Sequence, residues 1–215
     1  MDWQRILYFL PGIIIGLTIH EFCHAFCAYK LGDTTSRDQG RLTLNPIKHI
    51  DLIGFLFIIF AGFGWAKPVQ FNPENLKNYR RDKALIAAAG PLSNFVMGVL
   101  LCFAIRALLA YITPQIENGT FNPNGIAHHL YIVVSYAASI NLGLFIFNLI
   151  PIPPLDGSHI IFSGLNIGFE LEEKIRKIGL PVLFLILIAQ NYFKITILPI
   201  GIVIRALMGL FIPAF

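Results

Sequence analysis

Three ionisable residues set close together in an apolar run, His20, Glu21 and His24, are the part of this sequence best equipped for chemistry. They read HEFCH, the H-E-x-x-H pattern. On a helix, histidines four apart share a face and can hold one zinc ion. Glu21, about 100° around from His20, can then reach a water at the metal without displacing an imidazole. Each charged residue at such a place costs about 2.5 to 3.5 kcal/mol on membrane-insertion scales, so something must compensate. The plainer alternative is a histidine pair satisfied by neighbouring helices.

A catalytic zinc centre needs three protein ligands and one open position. Cys27 lies on the same stripe but about 10.5 Å along the helix axis, beyond bonds of about 2 Å. Asp156 is the better third ligand. It follows Pro151, Pro153 and Pro154, which break the helix after an apolar run, and an acidic residue returned to that depth otherwise lacks a reason. His159 is a rival, His49 a weaker one, and a helix N-cap is the alternative role for Asp156. One zinc ion would offset the charges of Asp156 and a hydroxide, a neutral cluster that a low dielectric tolerates.

The elements that must position these residues follow from composition. The 215 residues are 56 % hydrophobic and 13 % charged, with a mean hydropathy of +0.69, against a usual composition of about 45 to 50 % apolar and 25 % charged. A soluble globule and a disordered chain are excluded. Cys23, Cys27 and Cys102 all sit in apolar runs and imply no disulfide framework. The net charge of +4 comes mostly from short segments between apolar runs, where it orients a membrane protein, so no nucleic-acid partner is expected.

Ile6 to Tyr29, Ala84 to Ile112 and His128 to Ile150 are long enough to cross a bilayer. Leu52 to Gly64 is short for a span, and Leu180 to Phe215 reads as one broken helix or two short ones around Pro199 and Gly201. Lys30, Arg37, Arg41 and Lys48 precede the short run, and Lys67, Lys77, Arg80, Arg81 and Lys83 follow it. Both basic segments belong on the cytoplasmic side, so the run between them dips in and returns. Gly40 to Leu44 reads as a short strand beside it. The expected fold is an all-α polytopic membrane protein. It is a helical bundle of about five to six membrane segments, with a short re-entrant or β element near the cytoplasmic face. The whole chain, 1–215, reads as one domain, with a catalytic core over about 6–160 and C-terminal membrane segments over 180–215. No cleavable leader and no soluble appendage are expected. Gly12 and Gly16 suit close helix packing, and Glu170 to Lys177 suits a solvated interfacial stretch.

HEFCHAFCAYKLGD from His20 to Asp33, AAAGPLSNF from Ala87 to Phe95 and NLIPIPPLDG from Asn148 to Gly157 occur in that order. Together they resemble the site-2 protease family of intramembrane zinc metalloproteases. LTLNPIKHID and GWAKPVQFNPENLKN resemble its short bacterial members, and the likeness runs from about Gly16 to His159. It departs where Leu52 follows Asp51 in place of a common Pro, and where Ser158 follows Gly157 in place of a common Gly. The resemblance implies one Zn2+ per chain held by His20, His24 and Asp156, Glu21 as catalytic acid/base, and Asn94 and Asn148 assisting. Asn148 would donate to a developing oxyanion, or with Asn141 tie spans together. The implied partner is the transmembrane segment of another membrane protein within the lipid bilayer, cut by regulated intramembrane proteolysis. The chain would be multi-pass in the cell membrane, with its site open to the cytoplasm. Oligomeric state is not legible from these residues.

Overall fold

Lipid offers no partners for backbone amides, so long apolar runs become helices that satisfy those groups internally. The computed structural model describes residues 3–61, 64–193 and 197–212. Its helices are α1 Trp3–Lys30, the short α2 Thr35–Asp38, α3 Leu52–Ala61, α4 Tyr79–Glu117, α5 Ile126–Asn148, α6 Asp156–Gly164, α7 Phe169–Tyr192 and α8 Ile200–Phe211. Helices α1, α4 and α5 are long and apolar enough to cross a membrane. Helices α1 and α4 contain the runs expected there, while α5 ends at Asn148, two residues short of the expected His128 to Ile150, because the chain turns at Leu149 ahead of Pro151.

These three helices pack on one another, with α6 against α4 and α8 against α5 and α4. Small residues set the spacing. A Cβ at Gly12 would lie 2.7 Å from the Ala137 Cα, and one at Gly98 would lie 2.7 Å from the Leu142 Cγ. Close approach of this kind replaces the hydrophobic drive that lipid removes. Cys102, Ile105, Ala138, Leu142, Met208 and Ile212 form the core among α4, α5 and α8. Leu92, Val96, Leu100 and Phe103 point outward from α4, each more than half exposed. Such a stripe would be a liability in water and is an ordinary outer face in lipid.

Several expectations change in detail. Helix α3 has ten residues and is about 15 Å long, half the hydrocarbon thickness. Asp51 Oδ1 caps it by accepting from Gly54 N at 2.8 Å. Gly62 and Phe63, near the end of the expected run, lie outside the described residues. The strand expected over Gly40 to Leu44 is absent. Among the described residues the only β pairing is an isolated antiparallel bridge between Ile50 and Ala66. The reason is local. Gly40 adopts φ +66°, Arg41 N donates back to Ser36 O at 2.8 Å, and His49 Nε2 donates to Thr43 O at 2.7 Å. The segment closes on itself instead of extending.

The tail forms two helices, with residues 213–215 outside the described range. Helix α7 begins earlier than the expected apolar run because the charged stretch Glu170 to Lys177 is itself helical. That stretch is not uniformly solvated: Glu172 is buried and paired with Lys83 of α4.

The loop after α1 is pinned by Asp33, which is fully buried. Its carboxylate accepts from Thr35 N and Oγ1, Asn75 Nδ2 and Asn72 N at 2.6 to 3.2 Å. Burial raises its pKa, but these bonds to the ionised form outweigh burial and hold it below the usual carboxylate range. Its folded-state value is therefore below the unfolded value of about 3.9. The stability it contributes is present above that pH and lost as pH falls through the depressed value. Thermal melts in detergent should show wild type losing stability below about pH 4. Asp33→Asn should start less stable and change less over the same window.

Candidate metal centre

The centre is built where α1, α4 and α6 meet. Four-residue spacing puts His20 and His24 on one face of α1, turned toward α4. Gly90 makes the room there: a Cβ at that position would strike the His24 Nε2 and both histidines' Cε1 region. Asn94, one turn further along α4, meets His20. Asp156 opens α6, just past the proline-rich loop that ends α5. Gly157 lets the chain turn that tightly, because a Cβ there would run into the carbonyls of Leu149 and Ile150.

The hydrogen bonds fix the protons. His20 Nδ1 lies 2.6 Å from Asn94 Oδ1, and His24 Nδ1 lies 2.6 Å from Ile86 O. Asn94 Nδ2 is committed as donor to Gly16 O and Asn141 Oδ1, both at 3.0 Å. Asn141 Nδ2 in turn donates to Ala137 O at 2.8 Å. Every partner of the two Nδ1 atoms is thus an acceptor, so both imidazoles carry a proton on Nδ1, which leaves Nε2 as the atom able to bind a metal.

Those two Nε2 atoms lie 3.0 Å apart and 3.1 and 3.4 Å from Asp156 Oδ2. Three potential electron-pair donors face one another at these distances, an arrangement that needs shared protons or a metal ion between them. Tetrahedral zinc with bonds of about 2.0 to 2.1 Å separates its donors by about 3.3 Å, and two imidazoles with one carboxylate are a usual zinc set. The residues fit the ion. Among the described residues no other group of three His, Cys, Asp or Glu converges in this way.

Glu21 is buried beside the cluster, and its Oε2 accepts from Val69 N at 2.9 Å. Asn148 donates to Leu144 O at 3.0 Å, one turn back in α5. The rivals for the third position sit apart: His49 is wholly buried on Thr43 O, and His159 Nδ1 is 3.9 Å from Glu172 Oε1. Sequence reasoning did not find Ile86 or Val69, which act through backbone atoms and leave no residue-type signal. It gave Asn141 only a span-tying role. Asn141 does join α5 to α4, and through Asn94 that bond also reaches His20.

Partners of this kind orient ligands, and their loss weakens metal affinity about 10- to 100-fold. Asn94→Ala should do so in a competitive zinc titration with the helical fold intact. Unchanged affinity would remove Asn94 from the centre.

The chain matches Peptidase family M50 over residues 8–190 and belongs to that family, the site-2 proteases. By family it is a metallopeptidase. It is 42 % identical over 154 residues to YwhC of Bacillus subtilis, named as a candidate zinc metalloprotease, covering 72 % of this chain and 67 % of that one. Rip2 of Mycolicibacterium smegmatis, named likewise, is 29 % identical over 163 residues, or 73 % of this chain and 57 % of that one. Rip2 of Mycobacterium tuberculosis is 32 % identical over 154 residues, 69 % and 53 % of the two chains. The chain thus spans about two thirds of the first relative and little more than half of the others. No solved structure matches it.

Proposed function

We propose that the chain is an intramembrane zinc endopeptidase that hydrolyses peptide bonds within or near transmembrane segments of other membrane proteins. The observation that carries this reading is the convergence of two Nδ1-protonated imidazoles and one carboxylate oxygen, set between helices whose outer faces are apolar. His20, His24 and Asp156 would hold one Zn2+. When bound there, zinc supplies Lewis acidity that polarises a carbonyl and acidifies water.

The remaining steps belong to the chain. Glu21 takes a proton from the attacking water and passes it to the leaving amine, while Val69 N–H holds one of its oxygens in place. Asn94 keeps the His20 ring oriented. Asn148, at the end of α5, turns its amide from Leu144 O to the developing oxyanion. The substrate helix must unwind before any of its bonds is exposed.

The chain works as one domain of about five to six membrane segments, with α3 re-entrant. Supporting this, Ile50 bridges Ala66 and Lys67 N donates to His49 O at 2.8 Å, so the two ends of the α3 excursion lie side by side. Both basic segments then face the cytoplasm of the cell, and water enters from there.

The test is cleavage of a single-span substrate in vesicles. Cutting within the span, lost to a zinc chelator and restored by zinc, is expected; cutting that ignores the chelator would contradict the reading. A cysteine at exposed Glu74 should be labelled only from the cytoplasmic side, and labelling from outside alone would defeat the re-entrant topology.

A further inference from the structure

Arg41 is a buried cation that the chemistry above does not use. Only 5 % of it is exposed, and among the described residues no carboxylate lies within ion-pair distance of it. Its Nη2 donates to Lys67 O at 2.5 Å, and its Nε is buried without a partner. A guanidinium is seldom buried unless it is paired, so its position calls for a reason. Lys67 N is held from the other side by His49 O at 2.8 Å. The backbone of Lys67 is therefore held at both its N–H and its C=O, and two residues later Val69 N–H holds the Glu21 carboxylate at 2.9 Å.

We propose that Arg41 is a positioning residue for Glu21, acting through the Lys67 to Val69 segment. This rests on the acid/base role of Glu21 given above. Burial holds the Arg41 pKa below its ordinary value and the charge of Glu21 partly offsets this, so the two groups interact electrostatically. The clamp leaves the zinc ligands alone: His20 and His24 are fixed by Asn94 and Ile86, on α4. Arg41 thus governs the turnover step and neither the metal nor substrate affinity.

The experiment uses the full chain, loaded with zinc, cleaving a single-span substrate in vesicles. Arg41→Gly should lower kcat about 10- to 100-fold with KM and zinc content unchanged. Millimolar guanidinium should restore part of the loss, which a general packing defect would not allow. Val69→Pro removes the N–H at the other end of the same path, so combining it with Arg41→Gly should lower kcat no further than the worse single variant. Arg41→Lys, which keeps the charge and can reach Lys67 O, should retain more activity than Arg41→Gly and guards against a variant that fails to fold. Lost zinc, a raised KM without a fall in kcat, multiplying effects in the double variant, or absence of guanidinium rescue would each overturn the proposal. If wild type cleaves and Glu21→Gln does not, while Arg41→Gly is fully active, the clamp alone is wrong; if Glu21→Gln also cleaves normally, the reading beneath it fails.

Discussion

Glu21→Gln is expected to abolish cleavage of a membrane-spanning substrate while leaving about one zinc per chain. The substitution keeps size and shape, and the glutamine Oε1 can still accept from Val69 N–H, so the local fold survives. What is lost is the ability to take a proton from water and return it to the amine. Proton transfer of this kind is worth about 10²- to 10⁴-fold, so residual turnover should fall below one part in about a hundred. Metal analysis and turnover are measured on the same sample. Near-normal cleavage by the zinc-loaded variant would remove Glu21 from the reaction.

The second large effect concerns the ligands. His24→Ala and Asp156→Ala should each reduce zinc from about one per chain to under about a tenth, because two donors cannot hold the ion against water and buffer. The two variants fail differently. His24→Ala also removes the side-chain donor that the Ile86 carbonyl meets at 2.6 Å. Asp156→Ala leaves two imidazoles with Nε2 atoms 3.0 Å apart, which one proton can bridge, so it should stay folded without metal. Helical content by circular dichroism separates metal loss from unfolding. Zinc retained in both variants would remove the ligand assignment.

The three residues that converge, His20, His24 and Asp156, were legible because their surroundings mark them chemically. His20 and His24 stand four apart in a run too apolar to tolerate them idle, and Asp156 follows prolines that end a helix. Gly90 and Gly157 explain parts of the motifs around them: both give way to atoms that would otherwise collide with a side chain. The three long helices were equally plain, since their runs have no other way to satisfy their amides in lipid. Contacts that residue type does not encode stayed hidden, above all the carbonyl of Ile86 and the N–H of Val69. The strand expected at Gly40 to Leu44 failed because alternation alone was weighed, while Gly40, Arg41 and His49 each turn the segment inward. Glu172 looked like surface because its neighbours are charged. Its burial depends on Lys83, 89 positions away, and no local pattern reports a pairing at that distance.

The claim on which everything turns is that His20, His24 and Asp156 share one zinc ion. X-ray absorption spectroscopy of the zinc-loaded protein examines it directly. The expected spectrum has only nitrogen and oxygen neighbours at about 2.0 to 2.1 Å, with outer-shell scattering from two imidazoles. A spectrum without imidazole scattering, or one with a sulfur neighbour at about 2.3 Å, would contradict it.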